Sequence, residues 1–437
     1  MSLAQSGDSE WVLTTAIGGI ALVLFVAVGF VVLSRRLRQP AVIGEITAGI
    51  CLGPSLLGLL PGDLPELFFP VEVRDYLGVV AQLGLLVFMF LIGWEFDYAT
   101  LHGRRRTTAT IWFCAAALPM ALGIGLAAML FGAHDTVNGE ELRFLDFALF
   151  MGTAMSIAAF PVLARIIADR GIQSTPVGTL ALALAALDDI LAWCLLAIVV
   201  ALVTATGAAG FLGVVGWGAV YIVAMVWVVR PLLGRLVRHA TAATPYLPML
   251  AAGGALGSAY VTSEIGLHAI FGAFVFGLVM PRGPERELMH RAAFIPLEHL
   301  SRLLLPVFFV VTGLSVDLTA LTATGALHMV LIILTACAGK LGGVLLSARA
   351  TGMSWHQSTT LGLLMNTRGL TELVILNVGL GLGLLSTELF TAMVMMALVT
   401  TAMTSPLLGI ALRRVTPEAA APVPRERAPV PAGRATT

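Results

Sequence analysis

The sequence predicts an all-α polytopic membrane protein: thirteen transmembrane helices in an inverted repeat of six helices each, with two broken helices crossing at the midplane. Three observations carry that prediction. The first is composition: of 437 residues, 58% are hydrophobic and only 11% charged. Average soluble domains run nearer a quarter charged and below half apolar. Thirteen helices of about 20 apolar residues would take about 260 residues, which nearly matches the hydrophobic share. A soluble enzyme and a disordered chain are excluded, and a formal net charge of zero gives no field for nucleic acid. The second observation is a regular alternation of loop charge, and the third is a pair of polar interruptions within apolar segments.

The apolar segments lie at about 11–33, 41–60, 76–98, 107–131, 144–170, 176–205, 210–230, 245–262, 266–281, 300–316, 325–348, 356–384 and 387–412. Asp8 and Glu10 precede the first segment without a basic residue, so it reads as a retained helix rather than a cleaved signal. Arginines follow every second crossing: Arg35, Arg36 and Arg38; Arg104, Arg105 and Arg106; Arg165 and Arg170; Arg230, Arg235 and Arg238; Arg282, Arg286, Arg291 and Arg302; Arg349; Arg413 and Arg414. The intervening loops are acidic or uncharged, as in Asp63, Glu66, Glu72 and Asp75, or Asp135, Glu140, Glu141 and Asp146. The positive-inside rule therefore sets the N-terminus outside and the C-terminus in the cytoplasm.

Residues 1–414 form one membrane domain, with repeats at about 11–205 and 245–412 and a connector helix at about 210–230. The Pro- and Ala-rich stretch 415–437 reads as a disordered cytoplasmic tail. No Gly-rich nucleotide-binding pattern follows the last segment, so a soluble regulatory domain is expected only from a separate cytoplasmic subunit. The cysteines Cys51, Cys114, Cys194 and Cys337 have no metal-ligand spacing and read as small core residues.

Five charges remain deep in apolar segments, and each costs at least ~2.5 kcal/mol at a helix centre unless paired or wet. Asp188 and Asp189 are adjacent in segment 6; neighbours on a helix diverge by about 100°, so one can line a wet cavity while the other turns to a neighbouring helix. Two close carboxylates disfavour ionising together, which lets one hold either a proton or a cation. The competing reading is a capping or interfacial pair. Lys340 in segment 11 is the only lysine of the chain and wants a carboxylate; Gly339, Gly342 and Gly343 beside it permit close helix approach. Snorkelling is the alternative, but Arg349 already marks the helix end about 13 Å away. Arg368 and Glu372 stand at i and i+4 in segment 12 and can pair. Around them Asn366, Thr367, Gly369 and Thr371 interrupt the apolar run, as Thr153–Pro161 interrupts segment 5. Segments 5 and 12 are seven crossings apart and so run oppositely, the arithmetic of an inverted repeat. A simple kink is the plainer reading of either break alone.

Seven stretches in order make the chain resemble the monovalent cation:proton antiporter-2 family. They are QPAVIGEITAGICLGPSLLG, FMFLIGWEFD, TAMSIAAFPVLARIIADRGI, LDDILAW, GLHAIFGAFVFGLVMP, LLLPVFFVVTGLSVDL and NTRGLTELVILNVGL. The family comprises bacterial sodium/proton antiporters, potassium efflux systems and plant cation/proton exchangers. The resemblance implies that Asp189 alternately carries the transported Na+ or K+ and the proton, and that Asp188 pairs with Lys340. It also implies that Thr153 and Ser156 add ligands from an unwound stretch. Two acids with a lysine look like the electrogenic sodium branch, whereas Arg368 and Glu372 look like the potassium-linked and plant branches.

Exchange of cytoplasmic Na+ or K+ for external H+ in the cell membrane, without a cofactor and as a homodimer, is the implied function. By analogy, segments 4–6 and 11–13 would form the mobile core. The alternative is a channel-like potassium efflux pathway regulated by a cytoplasmic partner, but no filter-like segment repeats. An intramembrane aspartyl protease would need a Gly-x-Gly-Asp motif, which is absent. A transporter of larger organic cations on the same scaffold also fits the pattern.

Overall fold

A computed structural model describes residues 2–413 apart from 63, 96–104, 138, 174, 205–206, 239–245 and 282–288. The tail at 415–437 and Arg104, Arg282, Arg286 and Arg414 lie outside the described residues. Helices α1 (Ser2–Arg36) and α2 (Ala41–Leu52) form the first hairpin; Pro40, with φ −58°, opens α2 because its ring presets a helix-entry angle. A short α3 (Leu64–Phe68) leads into α4 (Val71–Glu95), and α5 (Arg105–Leu130) follows. Thr136–Val137 and Glu140–Glu141 make a two-stranded hairpin. Then come α6 (Phe144–Ser156), α7 (Phe160–Asp169), α8 (Pro176–Thr204), and α9 (Gly207–Ala224), which continues through a π turn into α10 (Arg230–Arg238). The second half holds α11 (Leu247–Glu264), α12 (Ala269–Leu278), α13 (Ile295–Leu314), α14 (Ala323–Ala350), α15 (Trp355–Met365), α16 (Leu370–Gly381) and α17 (Thr387–Arg413).

Nine described stretches are long and apolar enough to cross a membrane. Segments 5 and 12 are each split in two, α6/α7 and α15/α16. The segment expected at 266–281 is a helix of only ten residues, α12, about 15 Å long and half a bilayer core. Its first residues are spent on the turn: Gly266 takes a φ of +90°, and the His268 ring accepts the Ile270 amide proton to cap α12. Large apolar side chains such as Phe25, Phe113, Trp217 and Trp227 are exposed, the outer surface of a protein solvated by lipid.

The helices pack in two groups. In the first, α4 lies along α12 and α13, and α2 along α1 and α13, with α11 beside α12. In the second, α5 lies along α6 and α14, α14 along α15 and α17, and α8 against α5, α6, α7 and α15. Among the described residues no helix of one group shares an extensive interface with a helix of the other.

Close approach within each group depends on glycine. A Cβ on Gly93 or Gly277 would run into the facing backbone of α12 or α4, and one on Gly49 or Gly313 into that of α13 or α2. In a bilayer, where lipid is as apolar as leucine, such backbone-to-backbone contact supplies the dispersion and weak hydrogen bonding that hold helices together. Gly277→Val should therefore lower stability by about 1–3 kcal/mol through forced separation of α4 and α12. The check is thermal unfolding of the purified protein in detergent, followed by size-exclusion chromatography.

Candidate functional site

Both polar interruptions open a helix, and the two openings meet. Pro161 lacks the amide proton that a continuous helix would donate to the Ile157 carbonyl, and α6 stops at Ser156 with Ile157–Ala159 non-helical. On the other side α15 ends at Met365, and Asn366–Gly369 separate it from α16. The breaks touch: the Ala159 amide donates to the Thr367 carbonyl at 3.1 Å. Gly369 is required there, since a Cβ would stand 2.5 Å from Val162.

Ending α6 in mid-bundle leaves its last carbonyls without helical partners, at the negative end of the helix dipole. Two buried cations take them. Arg368, lying in the break of the opposite helix, donates Nη1 to Ala154 O at 2.6 Å and Nη2 to Met155 O at 2.7 Å. Lys340 donates its ammonium to Ser156 O and to Ala115 O. Each cation also holds a carboxylate: Arg368 Nη1 to Glu372 Oε2 at 2.7 Å, and Lys340 Nζ to Asp188 Oδ2 at 2.6 Å, all four side chains fully buried. Lys340 reaches this point because α14 lies tight on α5, where a Cβ on Gly339 or Gly343 would meet Pro119 or the Cys114 carbonyl at 2.7 Å. Gly342, expected to share that role, makes only ordinary contact with Leu118.

Asp189 is placed differently. It has no cationic partner among the described residues; Thr371 Oγ1 donates to its Oδ1 at 3.1 Å, and the Phe160 amide at the start of α7 lies against it. Asp189 forms part of the wall of a cavity of about 270 Å³ between the two helix groups. Ile92, Glu95 and Phe274 come from one group; Phe160, Thr179 and Ala186 from the other. Thr179 is near the first turn of α8 and Glu95 is the last residue of α4, so the cavity runs toward the end of the bundle that carries Arg35, Arg38 and Arg170.

The structure thus brings Asp188, Lys340, Arg368, Glu372 and Ser156 into one network, with Asp189 at its edge. Ser156 takes part through its carbonyl, and its hydroxyl turns back to Thr153 O. Thr153 and Ser156 are still helical, so the break begins later than the polar residues suggest. The buried Thr153 Oγ1, Asn366 Oδ1, Thr367 Oγ1, Asp188 Oδ1 and Glu372 Oε1 have no hydrogen-bond partner among the described residues. Thr401, which the sequence gave no reason to single out, brackets Arg368 by accepting from its amide and donating to its carbonyl. Three carboxylates face two cations, and Asp189 is the carboxylate left without a cationic partner among the described residues.

A family profile described as "Sodium/hydrogen exchanger, transmembrane" matches residues 20–414. The chain belongs to the monovalent cation:proton antiporter family. A Na+/H+ antiporter of Synechocystis is 40% identical over 387 residues, covering 86% of this chain and 92% of that relative. Cation/H+ antiporter 20 of Arabidopsis thaliana is 37% identical across 88% of the chain, and K+/H+ antiporter 1 of Saccharomyces cerevisiae 34% across 85%. The chain spans about half the length of these plant and yeast relatives, 47% and 43%. The fold matches that of a sodium proton antiporter from Methanocaldococcus jannaschii at pH 8, with a TM-score of 0.69 at 15% identity, over 92% of this chain and 99% of that one. The antiporter is a multi-pass membrane transporter rather than an enzyme.

The ion pairs of the antiporter are testable directly. Lys340→Met leaves Asp188 a buried carboxylate without its counter-charge, an expected loss of about 3–5 kcal/mol. Adding Asp188→Asn should recover much of it, with a coupling of at least about 1 kcal/mol in a thermal-unfolding double-mutant cycle.

Proposed function

We propose that this antiporter is a secondary active exchanger of cytoplasmic Na+ or K+ for external H+, with cation and proton competing for Asp189. The supporting observation is the division of labour in the Asp pair: Asp188 is neutralised by Lys340 at 2.6 Å, while Asp189 faces the cavity between the two helix groups. Asp189, the carboxylate of the network without a cationic partner among the described residues, has room for one proton or one monovalent cation. Carbonyls and hydroxyls of the two breaks, together with Thr153 and Ser156 in the last turn of α6, supply the neutral oxygen ligands that a hard monovalent cation prefers.

Coupling follows from desolvation. In the second group, α5–α8 and α14–α17 act as a core that moves against the first. Moving Asp189 out of its cavity with a bare carboxylate would bury an unpaired charge, a cost of several kcal/mol. Loaded with a proton or a cation, the same residue is close to neutral. The core therefore changes sides only when loaded, and exchange replaces leak. By the positive-inside rule the arginine-bearing end is cytoplasmic, the N-terminus external, and this structure faces inward. The protein works as a homodimer in the cell membrane. Lys340 releases a further proton whenever Asp188 leaves it, which is the basis for an electrogenic exchange.

Everted vesicles with a pH-sensitive dye test the reading. Sodium- or potassium-driven proton release should fall to the level of empty vesicles in Asp189→Asn; persistence of the flux would refute it. Thr371→Val removes a donor that favours the charged carboxylate over the protonated one. The apparent KM for the cation at fixed pH should rise about three- to tenfold, with maximal rate largely kept.

A further inference from the structure

A second polar cavity, of about 440 Å³, lies at the arginine-bearing end of the bundle, away from Asp189. Its wall carries Arg35 and Arg38 from the end of α1 and its turn, and Arg170 from the end of α7, together with Gln39 and Ser405. Among the described residues no carboxylate is part of that wall; Glu45 lies near Arg35 but outside it. The positive-inside rule explains why arginines occur at this end, but asks only that they be near the surface. It does not bring guanidinium groups from two distant stretches of chain to one concavity.

Two features indicate that the cavity is built. Arg170 is fixed, donating Nη2 to Ser405 O at 2.7 Å and to Ser405 Oγ at 3.0 Å. Arg38 is the only non-glycine residue of positive φ among the described residues, at 57°. It closes α1 in a Schellman turn, with Gln39 N to Ser34 O at 2.8 Å and Arg38 N to Arg35 O at 3.0 Å. That position ordinarily takes glycine, because a side chain in the left-handed region is penalised. Here an arginine occupies it, and Ser405 Oγ donates to its carbonyl at 3.0 Å.

We infer that Arg35, Arg38 and Arg170 form a binding site for a phosphate-bearing anion, free in solution or as a phospholipid headgroup. Planar guanidinium groups match phosphate oxygens bidentately, and among the described residues no carboxylate on the wall competes with an anion for them. The site joins the two helix groups, since Arg35 and Arg38 belong to α1 and its turn while Arg170 directly follows α7 and Ser405 belongs to α17. Gln39 Nε2 to Ala402 O, at 3.1 Å, is a second link at the same place. A bound phosphate ties the groups together and holds the inward-facing arrangement, so it regulates turnover without touching Asp189.

The test is thermal unfolding of the full-length protein in zwitterionic detergent, titrated with inorganic phosphate or short-chain phosphatidylglycerol against chloride at equal ionic strength. Wild type should gain several degrees with at least one of the two. Arg35→Gln/Arg38→Gly, which restores glycine at the left-handed position and so should fold, should bind about tenfold more weakly or worse. Arg36→Gln, a neighbouring charge outside the wall, should behave as wild type. A response to phosphatidylglycerol alone assigns the lipid headgroup, and a response to phosphate assigns the soluble anion. No gain over chloride in wild type, or equal gains in the double variant, would overturn the site.

Discussion

A helix that ends inside a bilayer must find partners for its last carbonyls, and most of this structure depends on how α6 meets that requirement. Water is not available at that depth, so unsatisfied carbonyls would cost several kcal/mol each. Arg368 and Lys340 supply the donors. Once there, the two cations need counter-charges of their own, and Glu372 and Asp188 provide them. Break, cations and carboxylates thus explain one another, and none of the five could be buried alone. What the arrangement leaves over is a single carboxylate, Asp189, at the edge of the network where a cavity reaches it.

The packing around that network serves the same end. Glycine contacts make each helix group tight, while among the described residues no extensive helix interface joins the groups. Asp189 sits on that boundary, with Thr371 and Phe160 behind it and the α4 and α12 walls in front. Polar links across the boundary among the described residues include Thr312 with Asn377 at 3.0 Å, Thr391 with the Asp317 amide at 3.1 Å, Gln39 with the Ala402 carbonyl at 3.1 Å, and Ser405 with Arg38. Weak, separable contacts of this kind suit the core movement proposed above.

Much of the fold was legible because its signals are local. Apolar run length gave the spans, Pro161 gave the first break, and the four-residue spacing of Arg368 and Glu372 gave their pair. The single lysine pointed to the Asp pair because a buried ammonium has few options. Contacts between residues far apart in sequence were not legible. No local pattern tells that Arg368 reaches carbonyls 213 and 214 residues away, or that Thr371 rather than Thr153 donates to Asp189. The same reason explains the misplaced start of the first break: α6 stays helical through Ser156 because distant cations satisfy its end. The shortness of α12 was hidden too, since His268 and Gly266 read as ordinary members of an apolar stretch.

The central claim is that proton and cation compete for one carboxylate. Equilibrium binding of Na+ and K+ to the purified wild-type protein, measured across pH by calorimetry, tests it most directly. Competition predicts a dissociation constant for the transported cation that weakens about tenfold per pH unit on the acid side and levels off on the alkaline side, with one proton released per cation bound. A dissociation constant independent of pH, or cation binding without proton release on the acid side, would contradict it.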